Sequence, residues 1–230
     1  MATISSEIRT KKGSYIVFFD LDLTLTSAIS GRALAAAGFK KGLFNAWDFI
    51  NAIFLSVVFR IKLKDPYRIV GSMIRWVKGI PENTMNDLCS QVFHEILLPS
   101  VYKDAITEIE YHKSKDAKIV ILSSALKSIC IEMANSLNID DIICSELESR
   151  DGYLTGRPVG RLCFADEKAI RLLAYCEKHN HSTSESWYYG DSISDLPALS
   201  KVGHPICVNP DTRLRKTAKE RDWKILTWEN

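Results

Sequence analysis

Tyr15-Ile16-Val17-Phe18-Phe19-Asp20-Leu21-Asp22-Leu23-Thr24 is the stretch from which the rest of the chain can be read. Its first five residues are mostly apolar and β-prone, and polar sequence bounds them, which predicts a short buried strand. The strand runs into two carboxylates and a hydroxyl. If the extended conformation continues, alternation sets Asp20 and Asp22 on one side. Neighbouring carboxylates repel, so both stay ionised only where a cation or hydrogen bonds compensate them. The end of a buried strand is also where open α/β sheets bind ligands. The pattern points to a divalent-cation and phosphate site. The plainer alternative is a strand end followed by two solvated aspartates in a loop.

Downstream of this strand, about 75 residues read as helical. Ala28–Ala37 is rich in helix formers, with Gly38 expected as its C-cap. Residues 43–63 are the most apolar part of the chain, with Asn45, Asp48, Asn51, Ser56 and Arg60 on about half of a helical wheel. Asp65-Pro66 opens another helix to about Lys78, Gly79-Ile80-Pro81 breaks it, and Pro81 starts a fourth to about Leu98. An αβ alternation then resumes. Helices are expected over 100–114, from Leu126, from about Ala165 to His179 and from Asp211. Strands are expected at Lys118–Leu122, Asp141–Ser145, Ser186–Gly190, 204–208 and near Trp223–Leu226, with a hairpin about Asp151-Gly152. This order predicts an α/β fold: a doubly wound, Rossmann-like parallel sheet with a small helical cap domain inserted after the first strand. The expected core spans 1–26 and 99–230, and the cap 27–98. The plainer account of the insertion is a few helices packed on one face of the sheet.

A chain of 230 residues with 46% hydrophobic and 25% charged residues can bury a sizeable core without staples. A net charge of +2 carries no global argument for nucleic acid or an acidic partner. The six cysteines form no C-x-x-C pair and mostly sit in apolar runs, as expected of buried thiols in a reducing compartment. Residues 1–13 lack an apolar signal core, and no run is a clear membrane span. The expected location is the cytoplasm.

The carboxyl ends of parallel strands share one edge. The first strand delivers Asp20 and Asp22 there, the second Ser123 and Ser124, and the fourth Asp191, with Asp195 close behind in Gly190-Asp191-Ser192-Ile193-Ser194-Asp195. Carboxylates converging on one edge need a counter-ion, and Mg²⁺ takes such oxygen ligands while keeping room for a phosphate. Taken alone, the 190–195 segment also reads as an Asx-type turn into a helix. Lys168 lies in the first turn of its helix, where the dipole disfavours a cation. It is either a solvated partner of Glu167 or a lysine aimed at the carboxylates. Ser123 is either a phosphate-binding hydroxyl or a simple N-cap.

In combination these segments resemble the haloacid dehalogenase-like hydrolases. Asp20-Leu21-Asp22-Leu23-Thr24 matches that family's D-x-D-x-T motif, Ser123 its second motif, Lys168 its third, and Gly190-Asp191 with Asp195 its fourth, G-D-x-x-x-D. The helical insertion is similar to the cap of the subgroup that contains phosphoserine phosphatase, and Gly203–Arg215 looks like a less characterised branch of it. The resemblance implies a Mg²⁺-dependent phosphatase acting on a phosphomonoester. Asp20 is implied as the nucleophile, forming an aspartyl-phosphate, and Asp22 as the acid and then the base. Mg²⁺ is implied to be held by Asp20, the backbone carbonyl of Asp22 and Asp191. Lys168 would neutralise nucleophile and phosphoryl oxygens, Thr24 and Ser123 would bind those oxygens, and Asp195 would orient Lys168 or a metal-bound water.

The leaving group is a separate question. Phosphoserine phosphatases carry a Glu where this chain has Ile29, their cap arginine falls near Met73, two residues from Arg75, and Ser194 replaces an Asn. Phosphoserine itself is therefore not the expected substrate. Arg75, with Arg68 and Lys78, is either an anion-binding group or part of a solvated helix face. The aromatic stretch 43–63 is either the core of the cap or an apolar face for a lipid phosphate, flanked by Lys40, Lys41, Arg60, Lys62 and Lys64. The expected partner is a small-molecule phosphate ester. The alternatives are a phospholipid phosphatase working at a membrane surface, a phosphotransferase or mutase, and a non-catalytic phosphate-binding module. No nucleic acid is expected, because Asp211, Glu220 and Asp222 interrupt the basic run Arg213, Arg215, Lys216, Lys219.

Overall fold

The computed structural model describes residues 15–43 and 74–229. Six strands form a parallel sheet in the spatial order β3-β2-β1-β6-β7-β8. They are β1 (Ile16–Phe19), β2 (Lys118–Leu126), β3 (Asp141–Ser145), β6 (Trp187–Gly190), β7 (His204–Val208) and β8 (Lys224–Leu226). The chain begins in the middle of the sheet, builds outward through β2 and β3, then returns beside β1 and builds the other way. The point where the order reverses, between β1 and β6, is where such sheets open a crevice.

β1 is buried on both faces, and period-two alternation sorts its side chains. Val17 and Phe19 join Ile119, Ile121 and Tyr189 against one layer of helices, while Ile16 and Phe18 join Val120, Leu122 and Tyr188 against the other. The first layer includes α2 (Glu82–Val92), α3 (Lys103–Ser114) and α4 (Lys127–Ser136). The second holds α5 (Asp166–Lys178), the short α6 (Leu196–Leu199) and α7 (Thr212–Glu220). Each fully buried Phe contributes about 1.5–3 kcal/mol relative to exposure. The doubly wound expectation holds.

β4 (Leu147–Arg150) and β5 (Tyr153–Pro158) pair antiparallel as a separate hairpin. Asp151 and Gly152 both have positive φ, 52° and 79°, the backbone of a primed two-residue turn.

Several local expectations need correction. Helix α1 (Ser30–Lys40) passes through Gly38, which is buried inside it. The helix stops one turn later at Gly42 (φ 68°), where Gly42 N–H donates to Phe39 O and Leu43 N–H to Gly38 O. This pair of bonds is a Schellman ending, and the glycine it needs is Gly42. Pro81 is the N-cap of α2 rather than its first helical residue, because its ψ of 137° is extended. β2 runs on to Leu126, so Ser123 and Ser124 lie inside it, where its register with β3 shifts. The described tail of the helix expected over 66–78 is a 3₁₀ turn, Arg75–Val77. The aromatic stretch 43–63, the start at Asp65-Pro66, Arg68 and Met73 fall, apart from Leu43, outside the described residues. α1 and α2 pack on each other, and Leu34, Met85, Leu88 and Val92 share one continuous cluster with the sheet residues Val17 and Phe19. All six cysteines are free; Cys144 is half-buried and the others are buried. Among the described residues no helix is long and apolar enough to cross a membrane.

Candidate active site

The strand does not continue through Asp22. β1 ends at Phe19, and the amides of Thr24, Leu25 and Thr26 all turn back to the Leu21 carbonyl. Leu23 takes a left-handed φ of 60° to make this turn. Asp20 is thus held at the sheet edge, its amide donating to Tyr189 O of the neighbouring strand. The Asp22 side chain leaves the line that alternation predicted. It accepts from the backbone N–H and the hydroxyl of Ser30, both at 2.9 Å.

One carboxylate oxygen from each of Asp20, Asp191 and Asp195 lies within 4.8 Å of the others, and all three residues are buried. Lys168 is 2% exposed, which excludes the solvated-lysine alternative. Glu167 bonds Arg171 instead. Lys168 Nζ donates to Asp195 Oδ1 at 2.6 Å and lies 3.0 Å from Asp20 Oδ1. The second approach is an ion pair off the angle of a hydrogen bond, so Asp20 Oδ1 is buried without a hydrogen-bond donor. Ala165 (φ 49°, ψ −120°), in a region that strains an L-residue, starts α5 and turns Lys168 inward. Asp195 Oδ2 accepts from the amide and hydroxyl of Ser192, closing a capping box. Asp195 is therefore fully spent on protein donors, whereas Asp20 is not.

The electrostatics follow from burial. Desolvation pushes the Asp20 carboxyl above its ordinary range; Lys168 opposes this, Asp195 adds to it, and the Ser123 hydroxyl opposes it. Asp191 is pushed well up by desolvation and then by Asp195 and Asp20. Although part of the Asp22 residue reaches solvent, desolvation dominates at its carboxyl and raises it to about 7 against the pull of the Ser30 amide. Burial works against the charge on Lys168, but Asp195 and Asp20 outweigh it and hold the ammonium protonated. The site is short of positive charge. A divalent cation would supply it, and the hard oxygen donors with an unsatisfied Asp20 Oδ1 fit Mg²⁺.

The other expected residues are distributed unevenly. Thr24 Oγ1 donates to Asp191 Oδ1 at 3.4 Å, so it reaches the cluster through that carboxylate. Ser123 is buried beside Asp20, and its hydroxyl accepts from Ala125 N–H. It is not a helix cap, since α4 is preceded by Leu126. Ser124 is half-buried next to it. Arg75 is exposed on a turn packed against β5, and none of the ion pairs of Asp20, Asp195 or Lys168 among the described residues involves it. Three contributors escaped the sequence reading: Ser30, which holds Asp22; Asp211, whose carboxylate accepts from Ile193 N–H while its amide donates to Asp191 O; and Tyr188, hydrogen-bonded to both Lys168 and Asp195. Ser30 carried no local signal. Tyr188 carried only a weak one, a polar tip on a strand position assigned to the core.

The family profile of haloacid dehalogenase-like hydrolases matches residues 17–200. The chain belongs to the haloacid dehalogenase-like hydrolase family. Its relatives in this family include a probable phosphatase of Mycobacterium tuberculosis, 28% identical over 92% of this chain and 74% of its own length. A histidinol-phosphatase of Neisseria meningitidis is 26% identical over 93% of this chain and 99% of its own. Among solved structures, a phosphoserine phosphatase in a phospho-aspartyl intermediate analogue superposes with a TM-score of 0.69 at 17% identity, covering 95% of each chain, which is a likeness of fold. The expectation of a phosphatase of the haloacid dehalogenase-like family holds.

Proposed function

We propose that this phosphatase hydrolyses a small phosphomonoester in a Mg²⁺-dependent reaction through an aspartyl-phosphate on Asp20. The observation that carries the reading is the state of Asp20: buried, set against Lys168 at 3.0 Å, faced by Asp191, and with one oxygen lacking a hydrogen-bond donor. Asp20, the backbone carbonyl of Asp22 and Asp191 would hold the cation, which when bound supplies charge to offset the nucleophile and the transferring phosphoryl group.

Asp20 attacks phosphorus and the ester oxygen leaves as an alcohol. Asp22, steadied by two bonds from Ser30, donates the proton to that oxygen and later takes one from the attacking water. Lys168 balances the charge gathered on Asp20 and the phosphoryl oxygens. Ser123 and Ser124 line the edge where those oxygens would sit, and Thr24 steadies Asp191. Asp195 keeps Lys168 in place. We assign the core to 1–26 and 99–230 and the substrate-selecting cap to 27–98, with Arg75 as its anion-binding group.

The reading is tested by phosphate release from a panel of amino-acid, sugar, nucleotide, choline-type and lipid phosphates, with Mg²⁺ and with EDTA. Mg²⁺-dependent release from small polar esters is expected. Preference for the acylated members would move the substrate to phospholipids. Isomerisation without free phosphate would make the enzyme a mutase, and affinity without turnover a binding module.

A further inference from the structure

We infer that Tyr188 is a positioning residue for the reaction, aiming the Lys168 ammonium at Asp20; the inference rests on the phosphatase reading above. An ammonium has three N–H groups. Lys168 spends one on Asp195 Oδ1 at 2.6 Å and one on the Tyr188 hydroxyl at 3.2 Å. The third is left for an oxygen bound beside Asp20, whose Oδ1 lies 3.0 Å from Nζ as an ion pair. The phenol has a single proton, and it goes to Asp195 Oδ1 at 2.8 Å, so the Tyr188 oxygen faces the ammonium as an acceptor. Nζ, Oδ1 and Oη close a triangle, so two hydrogen bonds rather than one fix the direction of the ammonium.

The ring itself is held firmly. Tyr188 is fully buried on the α5 face of β6, paired in register with Phe18 on one side and Pro205 on the other. Gly190 gives it room: a Cβ there would fall 2.8 Å from Tyr188 Cε1 and 2.9 Å from Asp195 Cβ. Tyr189, the next residue, faces the opposite layer and donates to Glu108 at 2.6 Å. It offers a matched control, an equally buried hydroxyl away from the site.

The test compares Tyr188→Phe and Tyr189→Phe with the wild type, using para-nitrophenyl phosphate and Mg²⁺. It also measures calorimetric affinities for orthovanadate, which mimics the transferring phosphoryl group, and for inorganic phosphate. Loss of one charge-assisted hydrogen bond predicts for Tyr188→Phe a kcat about tenfold lower with KM nearly unchanged. Vanadate should weaken by the same factor and phosphate should not. Tyr189→Phe should show no such split. In a Lys168→Met background, Tyr188→Phe should cost nothing further in vanadate affinity. Wild-type vanadate affinity in Tyr188→Phe, equal weakening of both anions, or a persistent cost without the lysine would each overturn the inference. A wild type that turns over no ester overturns the phosphatase reading instead, and that outcome is distinct.

Discussion

Asp22 illustrates how one side chain's role depends on a partner far from its own motif. Its two oxygens are held by the amide and the hydroxyl of Ser30 at 2.9 Å, across the turn that Leu23 makes. Ser30→Ala removes one of these bonds and leaves the other, so the carboxyl keeps its place and loses its fixed rotation. Turnover should fall by roughly three- to tenfold with KM and thermal stability little changed, as loss of a single ordinary hydrogen bond implies. Unchanged kcat would show that the Ser30 hydroxyl does not orient the acid. Asp20 and Asp191 were legible because strand ends place them at one edge of the sheet, whereas local pattern left Lys168 and Asp195 open and the family resemblance put them at the site. Ser30 and Tyr188 were not legible. Ser30 depends on a left-handed Leu23, a conformation no β-propensity announces, and Tyr188 on which face of β6 meets α5.

At the scale of elements, the strands were easier to read than the joints between them. β1 and the first half of β2 are short apolar runs buried on both faces, and such runs announce themselves. The helix end at Gly42 did not, because two glycines stand four residues apart and only backbone bonding decides which one closes α1. The approach to β7 was equally hidden. A Cβ at Gly203 would overlap the carbonyl oxygen of Ser184, and Gly203 N–H donates to Thr183 O, so this loop and the 3₁₀ turn Thr183–Glu185 lie backbone to backbone. Gly203→Ala must force the two apart. The expected loss of stability is roughly 1–3 kcal/mol, in the range for overpacking, read from urea unfolding. Wild-type stability would mean that the two segments separate at no cost.

Across the whole molecule, the sheet divides its labour between two ends. The carboxyl edge carries the charged site. Toward the other end His112 is fully buried, its ring bonded to Tyr15 Oη and Tyr189 Oη at 2.8 Å and lying 3.8 Å from Glu108. Burial lowers His112 to about 4, and Glu108 only partly offsets this. A pKa below the unfolded value of 6.5 means that the unfolded chain binds the proton more readily. The stability from the neutral ring is therefore complete above about pH 6.5 and is lost as the pH falls through 4. The loss is on the order of 3 kcal/mol. Urea midpoints at several pH values should show this slope in the wild type and a shallower one in His112→Gln; parallel slopes would contradict it. The fold class was legible from the αβ alternation, which fixes a parallel sheet and its functional edge. The leaving group was not, because Ile29 and Met73 depart from the phosphoserine phosphatase pattern and the apolar stretch 43–63 suits helix packing as well as a lipid face. Covalent chemistry at Asp20 is tested by acid-quenching the enzyme during turnover of para-nitrophenyl phosphate with Mg²⁺. Borohydride then reduces any acyl phosphate to an alcohol, and peptide mass spectrometry locates it. Homoserine is expected at position 20, with no turnover in Asp20→Asn; steady turnover with Asp20 unmodified, or an active Asp20→Asn enzyme, would rule out an aspartyl-phosphate there.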